Sequence, residues 1–332
     1  MTTGDTPPAW ARGLDTVLDR SVVLGYSKIG YAIRRHLPGW PVDPSPGALD
    51  GCHVAVTGAS SGLGRALAAG LARLGADVHL VVRDADKGGR TVAELARETG
   101  SGRLDVWRCD VSDLESVAAF TKAFLGTGVP LHGLVHNAGA MPPEWTASAQ
   151  GHELSMALHV LGPVRMTEDL LPLLSADGDA RVVLVSSGGM YAQPLEADDL
   201  DFHDGDYRPT AAYARSKRAQ VELLPMLSRR WAPAGVAVWG THPGWAATPG
   251  VTESIPAFAR LAGPILRAPD KGADTVTWLM ATHPRPPSGG LWHDRRERPT
   301  SYLARTTAHA GDVEQLWDWV GREAGIMTED PT

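Results

Sequence analysis

Between residues 53 and 293, short apolar runs alternate with stretches whose apolar positions recur every three to four residues. The runs at 53–57, 77–82, 104–109, 131–136, 181–186 and 236–241 are nearly continuous in Val, Leu and Ala. Runs of that kind predict strands buried on both faces. The stretches at 62–75, 86–99, 113–125, 151–174 and 211–231 carry helical spacing. Strand–helix alternation predicts a parallel sheet with helices on both sides. Right-handed crossovers then give an α/β doubly wound, Rossmann-type fold. One more strand is expected near 290–293 and a terminal helix over 312–324. Pro225 should kink or end the helix over 211–231.

The flanks differ from this core. Leu14, Val17, Leu18, Val22, Ile29 and Ile33 give residues 14–37 an amphipathic stripe, ending in Arg34, Arg35 and Pro38. Residues 1–13 read as a loose tail, and the prolines at 38, 41, 44 and 46 mark a linker. The expected division is an arm and linker over 1–47, a core domain over 48–295 and an extension over 296–332. The arm is expected to pack on its own domain or on a partner subunit. A membrane surface, with Lys28, Arg34 and Arg35 near anionic headgroups, is the alternative.

Composition narrows the class. At 43% hydrophobic and 21% charged residues, the 332-residue chain can bury a sizeable core. A net charge of −7 leaves no electrostatic footprint for a nucleic-acid backbone. No window approaches 18 consecutive apolar residues, and residues 1–10 lack the layout of a secretion signal, so the cytoplasm is expected. The two cysteines, Cys52 and Cys109, fall on different strands and are expected to be reduced. His132 and His136 lack an acidic partner, and neither HExxH nor paired CxxC occurs, so no metal site is expected.

The first strand ends in Thr57-Gly58-Ala59-Ser60-Ser61-Gly62-Leu63-Gly64, which opens a helix. Glycines there let backbone N–H groups approach a pyrophosphate, and the helix N-terminus adds favourable partial charge. The same letters satisfy the G-x-S-x-G nucleophile elbow, with Ser60 as nucleophile. Against that rival, no earlier βα unit exists to supply an oxyanion hole, and Gly64 is superfluous for an elbow.

Tyr213 and Lys217, four apart in a helical segment, share one helix face. An ammonium so close would favour the phenolate and turn Tyr213 into a general acid near neutrality. The pair stands 26 residues after Ser187, at the end of a buried strand.

Taken together, these letters resemble the short-chain dehydrogenase/reductase family over about residues 50–295. The resemblance rests on TGxxxGxG at 57–64, Asp110-Val111, Asn137-Ala138-Gly139, Ser187, Tyr213/Lys217 and Pro243-Gly244 followed by Thr248. A narrower likeness within it rests on Gly25-Tyr26-Ser27-Lys28, Ser186-Ser187-Gly188-Gly189-Met190 and His242-Pro243-Gly244-Trp245. It implies an oxidoreductase that moves a hydride between a nicotinamide cofactor and a carbonyl or alcohol. Tyr213 would then handle the proton, Lys217 would acidify Tyr213 and hold the ribose, and Ser187 would hold the substrate oxygen. The turn residues Thr57, Gly58, Ser60, Ser61, Gly62, Leu63 and Gly64 would receive the cofactor phosphates. Asp110 and Val111 would meet the adenine, Asn137, Ala138 and Gly139 the adenosine side, and Pro243, Gly244 and Thr248 the nicotinamide. The family's helix around 213–231 often forms a dimer, so a homo-oligomer is expected, with Pro225 placing it in doubt.

One position departs. His159 stands where the family has an asparagine that helps hold a water in a proton relay, and Asn137 is the sole asparagine of the chain. Either His159 carries the relay as an additional catalytic residue, or the chain is a cofactor-binding pseudoenzyme or sensor. Arg83, at the end of the second strand, favours the 2′-phosphate of NADP(H); Asp84 beside it keeps NAD open. The segments after Ser187 and Gly244 offer Met190, Tyr191, Trp245, Ile255, Phe258 and Leu261 for a hydrophobic ketone, aldehyde or secondary alcohol.

Overall fold

The computed structural model describes residues 7–176, 178–248, 250 and 260–326. Seven parallel strands are β1 (His53–Thr57), β2 (Asp77–Val82), β3 (Leu104–Arg108), β4 (Gly133–His136), β5 (Arg181–Val185), β6 (Ala237–Thr241) and β7 (Leu291–His293). An antiparallel β8 (Arg296–Arg298) closes the edge, giving the order β3-β2-β1-β4-β5-β6-β7-β8. The expected doubly wound sheet is thus present. Its direction of winding reverses between β1 and β4, and the crevice beyond the carboxyl ends of those strands is where such sheets hold ligands.

Helices cover both faces. On one, α4 (Gly62–Arg73), α5 (Ala85–Thr99) and α11 (Pro269–Ala281) share an apolar core with β1 and β2. On the other, α6 (Leu114–Leu125), α8 (Gly162–Leu174), α9 (Pro209–Glu222), α10 (Leu224–Trp231) and α12 (Ala310–Glu323) enclose a second core. A short α7 (Leu154–Met156) runs into α8 through a π segment, Ala157–Leu161. Pro225 acts as expected: α9 stops at Glu222, and the proline takes the first turn of α10, where no amide hydrogen is needed.

Two boundaries move. The sheet continues to Arg298, so the division at 295 cuts through the β7–β8 hairpin. The helical arm begins before 14 and is divided into α1 (Ala9–Arg20), α2 (Val22–Tyr26) and α3 (Lys28–Arg35). Residues 9–13, expected in a loose tail, belong to α1.

The polarity of the arm is also inverted. Of the six apolar residues in the expected stripe, Leu18 is buried; Leu14, Val17, Val22, Ile29 and Ile33 are exposed. Its buried side chains include Asp15, Asp19 and Arg34. Arg34 donates to Asp15 at 2.8 Å and to Asp294 at 2.7 Å, and Arg298 holds Asp15 at 2.8 Å. Arg267 adds a paired contact to Asp294, at 2.5 and 2.9 Å. Buried charge pairs, together with Leu18, Tyr26 and Tyr31, seat the arm, and the pairing removes Arg34 from any outer surface.

Candidate active site

The chemistry collects in a cleft of about 790 Å³ above the carboxyl ends of the strands. One end is built by β1, its turn and α4. A side chain on Gly58 would stand 2.9 Å from Ala138 Cα, and one on Gly64 would lie 2.3 Å from Gly58 O, so neither position admits a Cβ. Ser61 makes no side-chain cap, which leaves the first amides of α4 open toward the cleft. A backbone cradle at a helix N-terminus suits a pyrophosphate. Thr57 and Asn137 brace it from beneath. The Thr57 hydroxyl accepts from the amides of Asn137 and Ala138, both at 3.0 Å, while Asn137 Nδ2 donates to Thr57 O at 3.0 Å. Thr57 is therefore buried under the cradle and does not line it, contrary to the expected contact. Asn137 lines the cleft and braces it at once.

At the outer end, Arg83 is exposed on the cleft wall. The carboxylate of Asp84 accepts from Lys87 N at 2.9 Å, capping α5. That bond holds the Asp84 carboxyl below its ordinary range. With one oxygen of Asp84 committed to the cap, the cleft presents the cations Arg83 and Lys87 there beside that carboxylate. Lys87 was not anticipated; its position four after Arg83 was the available signal. Asp110 accepts from both the amide and the hydroxyl of Ser112, at 3.0 and 2.6 Å.

The catalytic end joins β5, α9 and the π segment. Ser187 and Tyr213 both line the cleft here, and the Ser187 hydroxyl accepts from Gly189 N at 3.2 Å. Lys217 is buried beneath, its Nζ donating to Val185 O at 2.8 Å and lying 5.7 Å from the Tyr213 ring centre. The expected acidification of Tyr213 does not hold in this geometry. Burial pushes the phenol up to about 12, with the nearby Ser187 hydroxyl pulling the other way. Burial also brings Lys217 down to about 7, which weakens the cation meant to acidify Tyr213.

His159 packs edge-on against Tyr213, with ring centres 5.2 Å apart. The Ser216 hydroxyl donates to Tyr213 O at 2.8 Å and lies 2.8 Å from His159 Nδ1. A hydroxyl carries one proton, so Nδ1 must donate and Nε2 is left a bare acceptor. That Nε2 is buried without a hydrogen-bond partner, facing Gly139. Burial first, and the Lys217 charge second, hold the His159 pKa well below the ordinary imidazole value.

A family model described as short chain dehydrogenase matches residues 52–197. Dehydrogenase/reductase SDR family member 12 of Bos taurus is 38% identical over 266 residues, 79% of this chain and 82% of that protein. The chain belongs to the short-chain dehydrogenase family. It is an oxidoreductase of that family. Retinol dehydrogenase 12 of Bos taurus is 33% identical, covering 85% of this chain and 89% of that protein. Among solved structures, a Shigella flexneri short chain dehydrogenase complexed with NADP shares the fold. It has a TM-score of 0.62 at 23% identity, and the match covers 76% of this chain and 100% of that one.

The expected substrate wall of this family member needs correction. Met190 is fully buried in the core. Tyr191 donates to Pro299 O at 2.8 Å and stacks on Tyr302, with ring centres 4.4 Å apart. Residues 188–192 turn in a 3₁₀ helix, and Tyr191 thereby meets the C-terminal extension. Leu261 is 87% exposed and does not line the cleft. Ile255 and Phe258 lie outside the described residues. Trp245 does line the cleft, joined by Met141, Leu154 and Leu158, which sequence reasoning missed. The four-residue spacing of Leu154 and Leu158 was the available signal. The arm reaches this wall: Tyr26 O accepts from Trp245 N at 2.8 Å, and a Cβ on Gly188 would meet the Tyr26 ring at 2.7 Å.

Proposed function

We propose that this short-chain dehydrogenase binds NADP(H) in the cleft and interconverts a hydrophobic ketone or aldehyde with its alcohol. The cofactor, when bound, supplies or accepts the hydride. Gly58, Ser60, Ser61, Gly62, Leu63 and Gly64 would hold its phosphates, and Arg83 with Lys87 its 2′-phosphate. Arginine and lysine there meet a phosphate with charge-assisted bonds, while the capped Asp84 has less to offer a ribose hydroxyl. On the reacting side, the paired hydroxyls of Ser187 and Tyr213 form the two-point donor set that a carbonyl oxygen requires. Tyr213 moves the proton at that oxygen. Lys217, brought down to about 7 by burial, lies beneath Tyr213 with its Nζ on Val185 O. Met141, Leu154, Leu158 and Trp245 favour an apolar substrate body.

The convergence of Ser187, Tyr213 and buried Lys217 at one end of the cleft carries the reading. A second observation favours an active enzyme over a cofactor-binding pseudoenzyme. Neutral His159 offers a lone pair at Nε2, so it can hold a water as an asparagine oxygen does.

Tyr213→Phe should lower turnover on a panel of apolar ketones by about 10²–10⁴ while leaving NADPH binding unchanged. Full turnover in that variant would remove Tyr213 from the reaction. Arg83→Ala with Lys87→Ala should weaken NADPH on the order of tenfold or more with little effect on NADH; equal losses for both cofactors would refute the 2′-phosphate assignment.

A further inference from the structure

Among the described residues eleven large apolar side chains are exposed, and eight of them fall between Trp10 and Ile33. They are not scattered. Trp10, Leu14 and Val17 recur at i, i+4 and i+7 along α1, and Ile29 and Ile33 at i and i+4 along α3, so each set shares one helix face. The opposite faces of both helices point to one place, the buried cluster where Asp15 and Arg34 meet Asp294 and Arg298. The apolar stripes therefore both face away from the domain. At the bend between them, α2 exposes Val22, Val23 and Leu24 in succession. So dense an outward apolar patch marks an interaction surface.

The charges beside it select the partner. In a chain of net charge −7, the exposed charged side chains of α1–α3 are Arg12, Arg20, Lys28 and Arg35, while Asp15 and Asp19 are buried. The linker's Asp43 pairs with Arg35 at 3.2 Å, and Arg12 lies on the side of α1 away from its stripe, which leaves Arg20 and Lys28 bordering the stripes. A two-fold contact between copies of this face would set those cations against one another. An anionic lipid surface complements them, and a tryptophan at the edge of an apolar stripe suits the headgroup layer.

We propose that α1–α3 lie flat on an anionic lipid bilayer. Trp10, Val17, Val23 and Ile33 enter the boundary between headgroups and acyl chains, and Arg20 and Lys28 meet lipid phosphates. This docking is independent of the cofactor and substrate reading above.

Co-sedimentation of the full chain with vesicles tests it, using phosphatidylcholine alone and an equal mixture with phosphatidylserine. The mixed vesicles should pellet the protein, phosphatidylcholine alone much less, and high salt should release it. The V17S/V23S/I33S variant should bind the mixed vesicles at least tenfold more weakly. R20Q/K28Q should lose on the order of tenfold. Circular dichroism melting checks that each variant folds; if the triple variant does not, R20Q/K28Q and the wild-type lipid dependence still decide. No pelleting of the wild-type chain, or pelleting equal in both variants, overturns the proposal. So does a dimer in sedimentation velocity that the triple variant abolishes, which would assign the face to a second copy.

Discussion

Lys217 and Arg34 are both buried cations, 2% and 1% exposed, and they do opposite work. Arg34 lies among Asp15, Asp19 and Asp294, with Arg267 and Arg298 sharing those carboxylates. Lys217 has a backbone carbonyl, Val185 O, and no carboxylate within ion-pair distance among the described residues. A guanidinium in a paired cluster stays charged and fixes geometry. An ammonium without a counter-ion is pushed toward neutrality, and its proton becomes available. Pairing thus separates the cation that holds the arm from the cation that serves the cleft.

The comparison breaks most visibly at Asp294. Asn at this position would leave Arg34 and Arg267 facing one another across an uncharged amide. Removing one partner from a buried ion cluster typically costs about 3–5 kcal/mol. Urea unfolding of Asp294→Asn should show a loss of that size, and NADPH binding by the fraction still folded should persist. A loss under about 1 kcal/mol would mean the arm is held by something other than its charges.

At Lys217 the sign should reverse. Lys217→Met removes an unpaired buried charge and should leave stability at pH 7 unchanged or raised, while turnover falls by about 10² or more. The pH dependence follows from linkage. The folded lysine sits at about 7 and the unfolded one near its ordinary 10.5, so between those values the unfolded chain binds the extra proton. Stability of the wild-type chain should therefore rise with pH across that window, by up to about 1.4 kcal/mol per unit from this group. The penalty is fully present below pH 7 and relieved toward pH 10.5. Chemical denaturation of Lys217→Met across that range should lack the rise; an unaltered slope would mean Lys217 titrates normally in the folded state.

The same contrast explains what could be read from letters. The strands were legible because burial on both faces leaves continuous apolar runs, and β1 and β2 begin and end at the expected residues. The phosphate cradle was legible because Gly58 and Gly64 face backbone where no Cβ fits, which fixes the residue type. The arm was not, since Asp15 finds Arg298 across 283 positions and local periodicity carries no trace of a partner so distant. Met190 and Tyr191 failed for a similar reason: Tyr191 meets Pro299 O, 108 residues on. Position after Ser187 suggested a pocket, and the C-terminal extension covers it instead.

The smallest expected effect is the one at His159, and it sharpens the distinction within the cleft. His159 lies near Lys217 but is held neutral by burial and by that charge, with Nδ1 donating to Ser216. Its folded pKa is depressed, so its contribution to stability is complete above about pH 6.5 and lost as pH falls toward the folded value. Within the range where the enzyme is assayed, pH 6.5 to 8.5 or about that, the imidazole should not change charge. His159→Asn would replace one acceptor with another. It should cost about 1 kcal/mol for the lost Ser216 bond, shift turnover by less than about tenfold and leave the limbs of the pH–rate profile where they are. A proton-carrying imidazole predicts the opposite, a limb near pH 6–7 that vanishes in the asparagine variant. The profile therefore separates a neutral group that positions Tyr213 and a water from one that transports protons, and the unpartnered Nε2 beside Gly139 argues for the first.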